Sequence, residues 1–259
     1  MIIAQLSDTH LTSQEAEGST AKARAENLSA TVTRINAIEG VDAVIHTGDM
    51  VHNRMPGEYA LAHEILSMLS APLYVVPGNR DCRESLRRTF GSDGYMTDVG
   101  DAPILYSVNK HSVRLIGFDT QAGHYGETSP QRKGDLDAAR LDWLDTTLTQ
   151  APNERTMVFM HHPPIPIETS RHPWQWLRQE VGNELGRIIG RHPQVIRIFC
   201  GHSHRDYMGQ IAGTCVSTQP SIAVDLRLGE FSPELEERPV FQVHSFENEQ
   251  VTSETLIAG

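Results

Sequence analysis

The chain of 259 residues is 39% hydrophobic and 21% charged, which suits one large α/β domain or two small ones. Its 33 acidic side chains outnumber 22 basic ones, and the net charge of -11 makes it a poor nonspecific binder of nucleic acid or anionic membranes. No segment approaches the ~20 apolar residues of a membrane span, and the first residues lack the pattern of a signal peptide. We therefore expect a cytoplasmic protein whose partner is neither a nucleic-acid polymer nor a membrane.

Strands and helices alternate in the first 80 residues. Short apolar runs predict strands, whereas apolar residues three and four positions apart predict helices. The predicted strands are 2–6, 44–47 and 73–76, and the predicted helices are 27–38 and 56–69, the second with Pro56 in its first turn. The polar segment 11–26 is predicted to form a loop over the strand ends. This alternation is typical of a largely parallel sheet with right-handed crossovers.

The second half begins with a predicted hairpin and then alternates again. The hairpin strands are 104–108 and 113–118, followed by a loop at 120–134, a helix at 136–148, a strand at 157–160, a helix at 175–189 and a strand at 195–199. The tail is predicted to hold antiparallel strands at 214–217, 240–246 and 251–257, with an exposed loop at 229–239. We predict one domain over residues 1–259, an α/β fold in which two mixed β-sheets form a four-layer α/β/β/α sandwich with helices outside.

Five predicted strands end in residue types that commonly bind metals. In chain order these are Asp8 with His10, Asp49, Asn79, His161, and His202 with His204. Ligands gather at the carboxyl ends of strands in open α/β sheets, so the five ends are expected to meet. Residues two apart point the same way if the extended conformation continues past the strand, which would pair Asp8 with His10 and His202 with His204.

Carboxylate, imidazole and amide groups together suit divalent zinc, manganese, iron or cobalt. Seven ligands exceed the needs of one tetrahedral ion, and two ions that share the Asp49 carboxylate would use them all. Each motif alone is weak, because polar residues are mostly surface residues. Their joint occurrence at strand ends is what predicts a dinuclear metal site. His52 and His124 lie in predicted loops and are weaker candidates for its border.

The same motifs resemble those of the calcineurin-like metallophosphoesterases. The matching motifs are Asp8-x-His10, Gly48-Asp49, Gly78-Asn79-Arg80-Asp81, His161 and Gly201-His202-Ser203-His204. Within that family the layout looks closest to the bacterial cyclic-nucleotide and glycerophosphodiester phosphodiesterases. The resemblance implies one metal held by Asp8, His10, Asp49 and His204, and a second held by Asp49, Asn79, His161 and His202. It weakens after about residue 218, a region that carries oligomer contacts in relatives, so a homo-oligomer stays open.

One residue departs from the family pattern. Arg80 stands where the family usually has a histidine that binds the phosphoryl group or protonates the leaving group. Arginine remains protonated, so it stabilises anionic oxygen but donates protons poorly. We therefore assign charge stabilisation to Arg80 and consider His162 as a source of the leaving-group proton. Asp81 is considered as the residue that orients Arg80, with an ordinary turn role as the alternative.

The expected reaction is hydrolysis of a small phosphodiester. Two cations roughly 3.5–4 Å apart lower the pKa of a bridging water, and the resulting hydroxide attacks phosphorus in line. Asp49 and Asn79 serve this chemistry as ligands, beside Arg80 and His162. Three alternatives stay open: a phosphomonoesterase or pyrophosphatase on the same site, a non-catalytic metal-binding scaffold, and a metal-dependent hydrolase of the β-lactamase type. The last lacks its usual His-x-His-x-Asp-His run here.

Overall fold

A computed structural model describes residues 1–13, 19–96, 100–123 and 134–259. His124 and most of the predicted loop 120–134 lie outside the described residues. The described strands, in chain order, are Ile2–Leu6 (β1), Ala43–His46 (β2), Leu73–Val75 (β3), Leu105–Val108 (β4), Arg114–Phe118 (β5), Thr156–Phe159 (β6), Val195–Cys200 (β7), Tyr207–Ile211 (β8), Thr214–Thr218 (β9), Val240–Glu247 (β10) and Gln250–Ile257 (β11).

Six α-helices occur in the described part of the chain: Ser19–Asn36 (α1), Pro56–Leu66 (α2), Arg83–Phe90 (α3), Ala138–Thr149 (α4), Gln179–Ile189 (α5) and Pro233–Glu236 (α6). Short 3₁₀ turns lie at Gly91–Asp93, Pro173–Gln175 and Val224–Leu226. Pro56 occupies the first turn of α2, where its missing N–H has no helical partner to lose. Asp137 caps α4, and its carboxylate accepts from the Arg140 N–H at 2.8 Å.

The strands form two mixed sheets. The first sheet has the order β11-β10-β1-β2-β3, in which β1, β2 and β3 are parallel while β10 and β11 are antiparallel additions at one edge. The second has the order β4-β5-β6-β7-β9-β8, with a parallel centre from β5 to β9 and antiparallel strands at both edges. The prediction of two mixed sheets flanked by helices is confirmed, as is the hairpin of β4 and β5.

The second sheet lies between two hydrophobic cores, and successive side chains of its strands point alternately into one core and the other. Met157 and Phe159 of β6 belong to a buried cluster that also contains Ile3 and Leu6 of the first sheet. Val158, between them in sequence, belongs to another cluster with residues of α4 and α5. Because neighbouring residues of a strand point to opposite faces, the first cluster lies between the sheets and the second lies under the helices.

The predicted loop at 11–26 is wrong for residues 19–26, which form the first two turns of α1. The inward positions there include Ala21 and the charged Arg24, which is only 4% exposed. Its guanidinium donates to the His10 carbonyl at 3.0 Å and pairs with Asp225 at 2.6 Å. Because a charged residue occupies the buried face, this part of the helix lacks the periodic pattern of apolar residues. Periodicity alone therefore could not predict the first two turns of α1.

Five further differences concern short or polar elements. The strand at 214–217 was expected to be antiparallel to its neighbours, but β9 pairs parallel with β7 and antiparallel with β8. Strand β8 lies at a sheet edge and exposes alternate residues such as Met208, which weakens its apolar pattern. Helix α3 contains mostly polar residues and was not predicted. Helix α5 begins at Gln179, later than the predicted 175, and α6 interrupts the predicted loop at 229–239.

Among the described residues, no helix combines the length and the apolar character needed to cross a membrane.

Candidate dinuclear metal site

The chain turns sharply after β1, β2 and β7. Five residues there have positive φ angles between 44° and 65°: Asp8, His10, Asp49, His202 and His204. This left-handed region is unfavourable for residues that carry a Cβ, and such residues cluster at functional sites. The expectation of an extended conformation past the strand ends is therefore wrong. The side chains converge through tight turns instead.

Glycines allow these turns to approach one another. A Cβ on Gly78 would overlap the backbone nitrogen and the carboxylate of Asp49. A Cβ on Gly201 would overlap the Ser7 hydroxyl and the Asp8 carboxylate. Glycine is thus required at both positions because the segments carrying the acidic groups pack directly against its backbone.

One cluster of possible ligands contains Asp8, His10, Asp49 and His204, whose ligand atoms all lie within 4.8 Å of one another. His204 Nε2 lies 3.1 Å from Asp8 Oδ1 and 3.2 Å from His10 Nε2. Asp8 Oδ2 already accepts from the Ser7 hydroxyl at 2.5 Å and the His202 N–H at 3.0 Å, so Oδ1 is the oxygen that faces the cluster. We call these four residues the first ligand group.

A second cluster is centred on His161. His161 Nε2 lies 3.1 Å from His202 Nδ1, 3.3 Å from Asn79 Oδ1 and 3.6 Å from Asp49 Oδ1. We call Asp49, Asn79, His161 and His202 the second ligand group. His162 joins His161 and His202 in a set of three imidazoles that could also hold an ion. The structure thus brings together all seven residues that the sequence singled out as ligands.

Asp49 lies between the two groups. Its Oδ2 is 3.6 Å from His10 Nε2 in the first group, and its Oδ1 is 3.6 Å from His161 Nε2 in the second. The Arg80 backbone N–H donates to Oδ1 at 2.7 Å and holds the carboxylate in this orientation. One carboxylate therefore presents a different oxygen to each group, which is the geometry that a bridging ligand requires.

Backbone carbonyls fix the ring orientation of three histidines. The N–H at Nδ1 of His161 donates to the Thr47 carbonyl at 2.7 Å, and that of His204 donates to Leu226 at 2.8 Å. His202 uses Nε2 to donate to the Trp174 carbonyl at 3.0 Å. Because a neutral imidazole carries one N–H, the lone pair of the other nitrogen in each ring faces the site. Such contacts of the second nitrogen are characteristic of metal-binding histidines.

His10 has a different partner for its second nitrogen. Its Nδ1 lies 3.3 Å from Nδ1 of His52, and the two rings meet edge to face with centroids 5.3 Å apart. An imidazole therefore orients His10 where carbonyls orient the other three rings. His52 was only a weak candidate from sequence, and its contact with His10 now places it at the border of the site.

Burial and neighbouring charge set the protonation of these groups. Burial, followed by the charge of His204, holds the pKa of His10 well below its usual range, and burial lowers the pKa of His202 to about 3. Burial raises the pKa of Asp49. For His204 burial acts downward, but the Asp8 carboxylate outweighs it and raises the pKa. The site therefore combines neutral imidazoles with acidic groups that require nearby positive charge.

The distances and the donor types fit divalent cations. Ligand atoms about 2.0–2.1 Å from one ion lie ~3.0–3.4 Å apart at tetrahedral or octahedral angles. The closest approaches within both groups are 3.1–3.3 Å. Asp8 Oδ1 is buried without a well-formed hydrogen bond, although His204 Nε2 is near. In the absence of metal a proton on His204 can bridge this pair, whereas a bound cation would take the place of that proton, and nitrogen and oxygen donors suit Zn²⁺, Mn²⁺ or iron.

A buried network supports the Gly78–Asp81 turn from behind. Asp81 accepts from the backbone N–H groups of Gly78 at 2.9 Å and Met50 at 3.1 Å. Gln121 donates to the Gly78 and Asp81 carbonyls, each at 2.8 Å. The suggestion that Asp81 orients the Arg80 guanidinium is therefore wrong, because its carboxylate is occupied by the turns that carry Asp49 and Asn79.

Arg80 lines the cavity above the two groups. Among the described residues its guanidinium forms no hydrogen bond or ion pair, and its backbone is held by Arg54, which donates to the Arg80 carbonyl at 3.2 Å. Arg54 also donates to the Asn79 carbonyl at 2.5 Å and has a φ of +63°. Sequence reasoning missed Arg54, and a single arginine after a strand end gave no signal of this contact.

His162 lies behind the ligands. Its side chain is fully buried, and it is not among the residues that line the cavity. The Thr120 hydroxyl lies 2.9 Å from its Nδ1, and burial, followed by the charges of His202 and His161, holds its pKa well below the usual range. A neutral ring without access to the cavity is poorly placed to protonate a leaving group.

The cavity has a volume of about 310 Å³ and opens directly above the ligands. We use "the floor" for the seven residues of the two ligand groups. We use "the rim" for five other residues that line the cavity: His52, Arg80, Trp174, Leu226 and Leu228. Trp174 and Leu226 come from the two 3₁₀ turns whose carbonyls orient His202 and His204. Neither of these two turns was predicted from the sequence.

The model of the calcineurin-like phosphoesterase family matches residues 1–206, so the chain belongs to that family. Across its whole length it is 31% identical to a probable glycerophosphodiester phosphodiesterase GpdQ of Arcobacter nitrofigilis, of which the match covers 94%. It is 33% identical to the glycerophosphodiester phosphodiesterase GpdQ of Enterobacter lignolyticus, over 85% of this chain and 77% of that one. Identity to the 3′,5′-cyclic adenosine monophosphate phosphodiesterase CpdA of Escherichia coli K12 is 25%, over 87% of this chain and 77% of that one.

Solved structures agree with the fold. A dimetal phosphatase from Danio rerio superposes with a TM-score of 0.76 at 17% identity, covering 100% of this chain and 96% of that one. GAP50, the anchor in the inner membrane complex of Plasmodium, superposes with a TM-score of 0.67 at 15% identity, covering 99% of this chain and 84% of that one. At such low identity these two likenesses concern the fold alone.

Proposed function

We propose that the protein is a metal-dependent phosphodiesterase with two divalent ions per chain. The first ligand group would hold one ion and the second group the other, with Asp49 bridging them. The observation that carries this proposal is the orientation of Asp49, whose two oxygens face different groups at 3.6 Å each. Manganese, iron, zinc and cobalt all suit this donor set, and metal supply decides among them as much as ligand type does.

The residues divide the catalytic work. When bound, the two ions supply Lewis-acid stabilisation and activate water for attack on phosphorus. Arg80 extends into the cavity with a charge that needs no proton transfer, and it stabilises the negative charge that develops on the phosphoryl oxygens. Asn79 contributes a neutral oxygen beside the His161 ring, and Asp49 aligns the two halves of the site. We assign His162 a supporting role behind His161 and His202.

The substrate class follows from the relatives' names. The relatives in question are named glycerophosphodiester or cyclic-nucleotide phosphodiesterases, and both names describe a small phosphodiester. A cavity of about 310 Å³ is at the lower end of small-molecule sites, which are about 300–1,000 Å³. We propose a small phosphodiester substrate. We further propose that residues 1–259 form one domain and that the protein acts in the cytoplasm, and a homo-oligomer stays a prediction.

The test combines metal analysis with two substrates. Purified protein is stripped with a chelator, reloaded with Mn²⁺, Zn²⁺, Fe²⁺ or Co²⁺, and analysed for metal per chain. Hydrolysis of bis(p-nitrophenyl) phosphate is then compared with that of p-nitrophenyl phosphate. We expect two ions per chain and a strong preference for the diester.

Other outcomes identify the alternatives. Two ions with a preference for the monoester would indicate a phosphomonoesterase. A nucleoside diphosphate ester is assayed in parallel, and its turnover without turnover of either nitrophenyl ester would indicate a pyrophosphatase. Two ions without turnover of any phosphate ester would leave the metal-binding scaffold, and a chain that binds no metal would contradict the proposal entirely.

A further inference from the structure

The lining of the cavity is chemically uneven. Arg80 and His52 adjoin Asn79 and His10 of the floor, and they provide charge and hydrogen-bonding groups. Near His202 and His204 the lining contains three apolar side chains, Trp174, Leu226 and Leu228, which we call the apolar wall, beside the polar residues Gln175 and Asp225. Leu228 remains 37% exposed, although its backbone N–H donates to the His204 carbonyl at 2.9 Å. Three neighbouring apolar side chains beside a polar site form a surface that can contact an apolar part of a ligand.

The apolar wall is fixed to the floor by main-chain contacts. The Trp174 carbonyl accepts from His202 and the Leu226 carbonyl accepts from His204. The Trp174 indole also packs against His172, with ring centroids 5.3 Å apart and an interplanar angle of 29°. The wall is therefore positioned before any ligand arrives, so a ligand that uses it loses little entropy to ordering protein groups.

Polar groups near the wall are already engaged. The Gln175 amide donates to the Ser203 carbonyl at 3.2 Å and its oxygen accepts from Ser170. The Asp225 carboxylate is paired with Arg24 at 2.6 Å. A polyol such as glycerol would lose hydrogen bonds to water at this wall without replacing them. A flat apolar group would instead cover the indole and the two leucines.

We propose that the apolar wall is a subsite for a flat, bulky group on the alcohol that the phosphodiester retains after hydrolysis, such as a nucleobase, and that Trp174 determines this preference. The inference rests on the proposed function, because it places the phosphoryl group over the floor and Arg80. It narrows the substrate class to diesters in which one alcohol carries a ring system that can stack on Trp174.

The test uses two diesters with the same leaving group. Thymidine 5′-(p-nitrophenyl phosphate) and ethyl p-nitrophenyl phosphate differ in the retained alcohol, so the ratio of their kcat/KM values isolates its recognition. We expect the manganese-loaded protein to favour the thymidine ester by at least about tenfold, in line with the strength of base stacking on aromatic rings. Trp174→Ala should lower the ratio by about tenfold, mainly through KM, and Trp174→Phe should restore most of it.

Trp143→Phe is the matched control, because Trp143 stacks on Phe118 away from the cavity and should leave the ratio unchanged. A ratio near one in the unaltered protein, or equal losses on both esters in Trp174→Ala, would overturn the inference. If neither ester is hydrolysed, the proposed function fails, and equilibrium dialysis of the manganese-loaded protein decides the subsite separately. Tighter binding of adenosine 5′-monophosphate than of glycerol 3-phosphate, lost in Trp174→Ala, supports the subsite, and equal binding overturns it.

Discussion

The floor and the rim of the cavity are built in different ways. Six of the seven floor residues are at most 5% exposed, and the seventh, His204, has 17% of its side chain exposed. Their positions follow from strand ends, tight turns and hydrogen bonds to the main chain. The rim residues Arg80 and Trp174 are half-buried, and they come from a turn and a 3₁₀ segment that follow no strand pattern.

This difference gives the two regions different roles: the floor binds metal, and the rim sets the rate and the substrate preference. A floor residue is held by several contacts at once, as Asp8 is by Ser7, His202 and His204, so its replacement disturbs the whole cluster. A rim residue such as Trp174 supports the floor through one backbone hydrogen bond and one edge-to-face ring contact, both to His202, and its side chain lines the cavity. Substitutions in the floor should therefore remove metal and turnover together, whereas substitutions in the rim should change rate or substrate preference with metal retained.

The largest effect is expected for Asp49→Ala. Removal of the carboxylate takes one ligand from each group and leaves the rings of His10 and His161 without the charge that faces them. Metal content should fall below one ion per chain, and kcat/KM should fall by about a thousandfold or more, equivalent to about 4 kcal/mol of transition-state stabilisation. Elemental analysis and diester hydrolysis measure both. Full activity in this variant would contradict the dinuclear assignment.

A smaller effect with intact metal is expected for Arg80→Ala. The Arg80 backbone N–H still reaches Asp49 in this variant, so only the guanidinium is lost. Loss of one preorganised charge donor typically lowers kcat about 10²–10³-fold. Arg80→Lys is the matched control and should recover part of kcat, because it keeps the charge without the planar fork. If Arg80→Ala loses metal as well, its role is structural.

The floor was predictable because its residues follow apolar strands. Strand periodicity located the ends of β1, β2, β3, β6 and β7, and parallel strands bring their carboxyl ends to the same edge. The seven ligand candidates and the bridging position of Asp49 follow from that rule. The left-handed turns do not follow, because Asp8 and Asp49 adopt them through packing against Gly201 and Gly78, which lie far away in sequence.

The rim and its supports were harder to predict because they depend on tertiary contacts between polar residues. Arg24 replaces an apolar residue on the buried face of α1, so neither the helix start nor its contact with His10 leaves a periodic signal. Trp174 reaches the cavity because a turn more than twenty residues from His202 in sequence places its carbonyl there. Asp81 looked like a partner for Arg80 by proximity in sequence, whereas the fold directs it to the backbone of Met50.

His52→Ala tests the boundary between floor and rim. His52 belongs to the rim, but its Nδ1 contacts the ring of His10, a floor residue. Among the described residues, His10 has the only floor ring that a side chain orients. Loss of an orienting partner typically lowers metal affinity 10–100-fold, and we expect about tenfold at the first ligand group. Competition with a chelator measures the affinity, and His63→Ala, an exposed histidine of α2, is the control. Unchanged affinity with a lower kcat would indicate that His52 acts on the substrate.

The smallest effect on activity is expected for His244→Gln, which lies outside floor and rim. Burial, followed by the charge of Arg197, lowers the pKa of His244 to about 3, so the folded protein keeps it neutral while the unfolded chain takes up a proton below about pH 6.5. The free energy of unfolding therefore rises with pH between these values.

At pH 5 the solution is about 1.5 pH units below the pKa of His244 in the unfolded chain, and each unit corresponds to ~1.36 kcal/mol. His244 should therefore lower the free energy of unfolding at pH 5 by about 2 kcal/mol relative to pH 7. Urea unfolding of His244→Gln should accordingly show a pH 5 to pH 7 difference smaller by about that amount, while His63→Gln should match the unaltered protein. Metal content and kcat should stay the same, because His244 contacts Gln5 and Ser253 rather than either ligand group. A variant with the full pH difference would place the acid sensitivity in the floor histidines, whose neutral form the bound metal stabilises.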